Sequence, residues 1–316
     1  MVRTKKYKYI QIFAASCALL SSCGGDGGST PAPTPPPVAA PAFPTISQLN
    51  EITPLNGFSV VNERANISFT RLENDGTATV SLDRTLTFVR FLSPTYDTQF
   101  RDVDQVETTD QPGISLPVER ILQQIDGTNL KRLIIYRPRV SSTSLNYLRA
   151  FQYSVLDPSG NLIERDVYNT TAGLHSTGSA VRTNQGASYR FVLRGLGRKG
   201  SLPTLVESPV DDKNVGIVKI SPDGTGISFD IDVYGSLLNE TIVYIGKLRG
   251  EGKFDANGSS FSGNITAPEA LIDPAAGRFT GALYGPNADE IAIGMKVDGS
   301  TDIRLNFGLR LYGVRN

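Results

Sequence analysis

The strongest signal in this chain is alternation. From about residue 174 onward, short runs place an apolar side chain at every second position, the two-residue period of a strand with one buried face. Tyr189, Phe191 and Leu193 alternate with Arg190 and Arg194. Ile227, Phe229, Ile231 and Val233 alternate with Ser228, Asp230 and Asp232. Phe261 and Ile265 stand against Ser262, Asn264 and Thr266. Ile291, Ile293, Met295 and Val297 share one face, and Ile303, Leu305, Phe307, Leu309 and Leu311 share another against Arg304, Asn306 and Arg310. Pro222-Asp223-Gly224 and Asp255-Ala256-Asn257-Gly258 have the composition of hairpin turns. About eight such strands fit into roughly 130 residues. One-faced strands need a core, and an antiparallel sheet supplies one by closing on itself, which also removes its edges. The expectation is an eight-stranded antiparallel barrel filled by Phe, Ile, Leu and Met.

The first half is less regular. Residues 67–72, 77–82, 86–92, 133–139 and 151–156 read as strands. Residues 118–125 read as a short helix, because Val118, Ile121, Leu122 and Ile125 fall at i, i+3, i+4 and i+7. The fold class predicted for the whole chain is all-β, with little helix.

The N-terminus follows different rules. Lys5, Lys6 and Lys8 precede an apolar stretch over 10–20. That stretch is shorter than the ~20 residues a membrane-spanning helix requires, and it suits a secretory signal peptide. Leu20-Ser21-Ser22-Cys23 then forms a lipobox, with an aliphatic residue, two small residues and the cysteine whose thiol takes the lipid. Cleavage there removes 1–22, including Cys17, and leaves Cys23 as the mature N-terminus. Gly24 rather than Asp follows, which favours the outer membrane. The glycines at 24, 25, 27 and 28 and the Pro/Ala tract over 31–44 make 23–44 a tether, flexible and then extended. A lipid anchor and a tether point to a soluble barrel, although a membrane-spanning barrel uses the same alternation.

Charge changes the picture modestly. The chain has 31 basic and 31 acidic residues. Losing 1–22 removes Arg3, Lys5, Lys6 and Lys8 and no acid, so the mature protein is net negative. No nucleic-acid partner is expected, since that calls for a basic surface. Two cysteines and one histidine cannot build a four-ligand Cys/His zinc site, and no cofactor is predicted.

The run Gly277-Arg278-Phe279-Thr280-Gly281-Ala282-Leu283-Tyr284-Gly285-Pro286-Asn287-Ala288-Asp289-Glu290, followed by Gly294, resembles the G-x-F-x-G-x-F-Y-G-P-x-A-x-E-x-x-G signature of the transferrin-binding protein B-like β-barrel family. Gly173, Thr177 and Asn184-Gln185-Gly186-Ala187-Ser188-Tyr189, closing at Gly195, resemble the segment that opens the family's barrel. The chain departs from the pattern at Leu283, Asn184 and Ala292-Ile293. The resemblance implies a β-rich handle-like domain over 45–172 and the barrel domain over 173–316. It implies a lipoprotein on the cell surface, anchored in the outer membrane. Relatives capture host transferrin, complement factor H, haem or haemoglobin, and some reach the surface through a dedicated translocon. A host or environmental protein or a haem-type ligand is therefore the expected partner, with an outer-membrane receptor or translocon beside it. Tyr284 and Glu290 read as parts of the barrel's architecture.

Candidate chemistry is sparse. Gly195-Leu196-Gly197-Arg198-Lys199-Gly200 matches G-x-G-x-x-G, but no helical pattern follows it, as a dinucleotide site requires. It reads as a basic loop after a barrel strand, and Arg194, Arg198 and Lys199 become candidate ligand contacts. His175 is the single imidazole, a candidate haem ligand but more readily a solvated linker residue. The acidic pairs Asp102/Asp104 and Asp211/Asp212 lack EF-hand spacing, and no G-x-S-x-G or H-E-x-x-H motif occurs. The expected function is a non-catalytic binding module. The alternatives are a periplasm-facing structural lipoprotein and an enzyme.

Overall fold

The computed structural model describes residues 43–63, 70–83, 85–86, 88–101, 105–106, 116–163, 166–199, 202–206, 216–237, 242–267, 275–299 and 305–316. The signal segment, Cys23, nearly all of the tether, Gly200 and the pairs Asp102/Asp104 and Asp211/Asp212 lie outside these. Among the described residues no helix is long and apolar enough to cross a membrane, which leaves strand-built crossings untouched.

The fold is all-β, as the alternation predicted. The first part contains β1 (Thr53–Glu63), β2 (Thr70–Leu82), β3 (Phe88–Leu92), β4 (Asp97–Arg101), β5 (Gln105–Val106), β6 (Val118–Asp126), β7 (Asn129–Tyr136), β8 (Arg139–Val140), β9 (Thr143–Ser144), β10 (Leu148–Leu156) and β11 (Asp166–Gly173). Nine of these form one antiparallel sheet in the order β4-β3-β2-β1-β11-β10-β7-β6-β5, and β8 pairs with β9 separately. An aromatic cluster packs within it, with Phe91 stacked on Tyr153 at 4.7 Å and Tyr96 edge-on to Tyr168 at 5.5 Å.

The helix predicted over 118–125 is a strand. Its residues pair with β7 from Val118↔Tyr136 to Asp126↔Asn129. Val118, Ile121 and Ile125 are β-branched, which suits a pleated sheet better than a helix. Gly127 adopts φ 63°, the left-handed geometry a tight hairpin turn demands. The supposed apolar helix face is not buried as a unit either: Leu122 is 1% exposed, whereas Ile125 at the hairpin tip is 79% exposed. The strands predicted at 67–72, of which 67–69 lie outside the described residues, and 77–82 fall on one element, β2, whose ladder with β1 is interrupted by a bulge over 74–77 between them.

After a single helical turn, α1 (Gly178–Thr183), come β12 (Ser188–Lys199), β13 (Leu202–Val206), β14 (Gly216–Ile220), β15 (Gly226–Leu237), β16 (Ile242–Phe254), β17 (Ser260–Ala267), β18 (Ala275–Tyr284), β19 (Glu290–Gly299) and β20 (Leu305–Arg315). These nine strands close into a barrel through an eleven-residue ladder from Tyr189↔Arg315 to Lys199↔Leu305. β13 and β14 both lie between β12 and β15, each pairing with a different stretch of both. They share one position around the wall, so the barrel has eight positions built from nine strands. The interior is filled by the side chains whose alternation announced it, among them Leu193, Phe229, Phe261, Met295, Phe307 and Leu311.

The first sheet packs on the outside of this barrel. Outward-facing Ala282, Tyr284, Ala292 and Tyr312 are buried with Phe58, Leu145, Leu148 and Ala150 in one cluster. Gly294 shows why small residues stand there. A Cβ at this position would lie 2.7 Å from Cε2 of Phe58, so glycine is what lets the first sheet approach.

Candidate functional site

Two features emerge where the first sheet meets the barrel: a polar clasp at one end of the contact and an open cleft at the other.

The clasp centres on Glu290, the first residue of β19. Its side chain faces the first sheet and is only 4% exposed. Oε1 accepts a hydrogen bond from the Asn146 backbone N–H at 2.5 Å, and Oε2 accepts one from Tyr147 N–H at 3.0 Å. Those donors belong to the segment that leads into β10, so one carboxylate ties the barrel to the first sheet. Burial pushes the Glu290 carboxyl up to about 7, against the opposing pull of the Asn146 and Tyr147 N–H groups and the positive charge of Arg149. Arg149, itself 1% exposed, holds Glu119 through Nε at 2.5 Å and the carbonyls of Leu145 and Leu148 through Nη1. Arg137 donates to Asn146 Oδ1 and to the Leu145 carbonyl. The chain crosses from sheet to barrel at the same end. There Gly285 N–H donates to Leu174 O at 3.1 Å and Ser176 Oγ to Gly285 O at 2.7 Å.

A buried acid with a raised proton affinity is a recognised mark of catalysis. At Glu290 the geometry assigns a different role, because both oxygens are taken up by main-chain donors and water is excluded. The signature residue that the sequence placed in the barrel's architecture is an interlock between barrel and sheet.

The cleft lies further along β19, at Lys296, Asp298 and Gly299. It has a volume of about 1050 Å³. Ser262, Asn264, Arg278 and Lys296 line it from the outer wall of β17–β19, and Arg71 and Asp166 face them from β2 and β11. Arg71 is bound to Asp166 at 3.2 Å, Glu73 at 3.3 Å and the Tyr168 hydroxyl at 3.1 Å. Lys296 is bound to Asp298 at 3.0 Å. The size falls at the upper end of small-ligand sites, and the open, polar lining suits a solvated ligand rather than an apolar one. A smaller cavity of about 520 Å³ lies at the far edge of the first sheet, by Asp97, Asp126 and Lys131. Its acids are already paired, Asp126 with Lys131 at 2.7 Å and Asp97 with Arg90 at 2.6 Å.

The residues singled out from sequence do not gather at either feature. Arg194 lies in β12, as its alternation implied, but it is only 6% exposed, with Nη1 donating to the Leu193 carbonyl. The expected basic loop is corrected over 195–199, which continue β12 and pair with β20. Arg198 and Lys199 thus occupy strand positions, and among the described residues the motif is followed by a strand, β13, and not by a helix. His175 is not a freely solvated linker residue. It bridges to Tyr284, its ring stands edge-on to that tyrosine at 5.1 Å, and Nε2 is buried, which leaves an iron no open approach on that side. Among the described residues no group of three or more His, Cys, Asp or Glu side chains is placed to hold a metal ion. The cleft escaped sequence reasoning because its residues come from six strands, several far apart in the chain.

No family model matches the chain, and no curated protein does. Among solved structures, it is similar to a tryptophan-to-alanine mutant of transferrin-binding protein B from Haemophilus parasuis Hp5, at 11% identity and a TM-score of 0.41, over 77% of this chain and 54% of that one. Intact Ap-TbpB, with its N and C lobes, shows 11% identity and a TM-score of 0.41 over 82% and 60%. The isotype 1 transferrin-binding protein B of serogroup B Neisseria meningitidis shows 13% identity and a TM-score of 0.40 over 77% and 53%. The chain thus spans little more than half the length of these structures.

Proposed function

We propose that this protein is an outer-membrane lipoprotein, acylated at Cys23, that binds a ligand without transforming it and seats that ligand in the cleft between the barrel wall and the first sheet. The observation that carries the reading is the cleft. It is a concavity of about 1050 Å³ whose walls are strands of two packed sheets, so its shape is set before a ligand arrives. Binding to a preformed site avoids the entropy of ordering loops. The handle-like part over 45–172 supplies one wall and the barrel over 173–316 the other. The lipobox and the tether of 23–44 support attachment by acyl chains. Several chains, at ~0.8 kcal/mol per buried methylene, hold a protein on a membrane where a single chain is marginal.

Two measurements test this. Palmitate fed to the producing cells should label the wild type and not Cys23→Ser. Protease added to intact cells should cut the folded part if it stands on the surface. Protection of the barrel in intact cells, with cleavage after the envelope is opened, would instead assign the protein to the periplasmic side as a structural lipoprotein.

A further inference from the structure

The cleft's charges show what kind of ligand it takes, an inference that rests on the cleft being the binding seat. Its lining holds three cations, Arg71, Arg278 and Lys296, and two acids, Asp166 and Asp298. Both acids are already engaged, Asp166 by Arg71 and Asp298 by Lys296. Glu73, beside the cleft, is also taken by Arg71. Arg278 is different. Among the described residues it has no ion-pair or hydrogen-bond partner, and its side chain is exposed on the cleft wall. The strand register places it directly across from Lys296 on β19 and directly across from Asn264 on β17. Like charges opposite one another in neighbouring strands are destabilising, and among the described residues no acid contacts Arg278 to offset this. Ser262, Gly263, Ala276 and Gly277 on the same wall are small or neutral, and Arg278 is exposed, so among the described residues its five N–H donors are open to a ligand. What the site has left to give is donor capacity, concentrated on Arg278, the one cation of the lining that no acid contacts among the described residues.

We propose that the cleft binds an anionic ligand, a carboxylate or phosphate group on an otherwise polar molecule, with Arg278 as the forked anchor, Lys296 as the supporting charge and Asn264 as a neutral hydrogen-bonding neighbour. A guanidinium matches two oxygens of either anion in a bidentate fashion, which an ammonium cannot do. The paired Arg71 marks the opposite wall and limits how wide the ligand is.

The experiment follows backbone amide shifts of the full chain on addition of citrate, pyrophosphate and, as a neutral control, maltotriose. Citrate and pyrophosphate distinguish a carboxylate from a phosphate preference. The expected result is saturable shifts at Ser262, Asn264 and Ala276 with at least one anion and none with the trisaccharide. Arg278→Gln should weaken that binding at least tenfold and Arg278→Lys less, while Lys219→Gln on the far side of the barrel leaves it unchanged. Arg278 is exposed, so an unchanged ligand-free spectrum outside its neighbourhood will certify the fold of each variant. Anion shifts of equal size in Arg278→Gln, or no anion shift at these amides, overturn the proposal. Trisaccharide shifts at the same amides, insensitive to Arg278→Gln, overturn the anionic ligand while leaving the cleft as the binding seat. Silence at these amides with all three probes counts against both.

Discussion

Glu290 shows how far one residue's meaning depends on what folds against it. In the sequence it is an acid near the end of a signature. In the structure it is enclosed and hydrogen-bonded by the segment before β10. Because its carboxyl is raised from 4.5 to about 7, the folded state binds a proton more tightly than the unfolded chain does. Its contribution to stability is therefore fully present below the unfolded value and is lost as pH climbs through about 7, a swing of at most about 3 kcal/mol at 1.36 kcal/mol per unit. The unfolding midpoint in urea should fall between pH 5 and 8, and Glu290→Gln should flatten that slope; an identical slope in the variant would show that other groups set it. Gly294 makes a steric counterpart. Gly294→Val should cost about 1–3 kcal/mol by overpacking against Phe58. Adding Phe58→Ala should recover part of the loss, which a double-mutant cycle in urea will measure.

At the scale of elements, the barrel's strands were legible because one face of each is buried, so the alternation that predicts them is the same alternation that fills the core. Strand β6 was not. Its outer residues are half-exposed on both faces, so burial imposes no two-residue period and a chance helical spacing stands out. The division of one wall position between β13 and β14 was equally hidden, since pairing partners are chosen by the barrel and not by the local sequence. Closure itself depends on the β12–β20 ladder. A proline at Val192 removes a ladder N–H from the middle of that seam. Hydrogen exchange should then speed up together over 189–199 and 305–315, whereas a change confined to β12 would mean that the barrel does not need this seam to stay closed.

At the scale of the molecule, residues 43–316 form one compact unit. The outward barrel residues Ala282, Ala292 and Tyr312 lose their cover if the first sheet leaves, and they are buried with its Phe58 and Leu148. The two sheets should therefore unfold in a single transition, with coincident curves from tyrosine fluorescence and far-ultraviolet circular dichroism. Two separated transitions would show that the shared cluster contributes little.

Taken alone, the chain's order of residues determined what is local or periodic: strands from alternation, turns from Pro, Asp and Gly, and an expected acylation point from the lipobox. Tertiary structure decided what depends on partners distant in the chain. It buried Arg194 and turned the basic loop into a strand, made Glu290 an interlock, and gathered Arg71, Asp166, Arg278 and Lys296 around one cleft. The physical reason is that burial and hydrogen-bond pairing are properties of a neighbourhood, and in a fold built almost wholly from ladders that neighbourhood is set by register across the sheets.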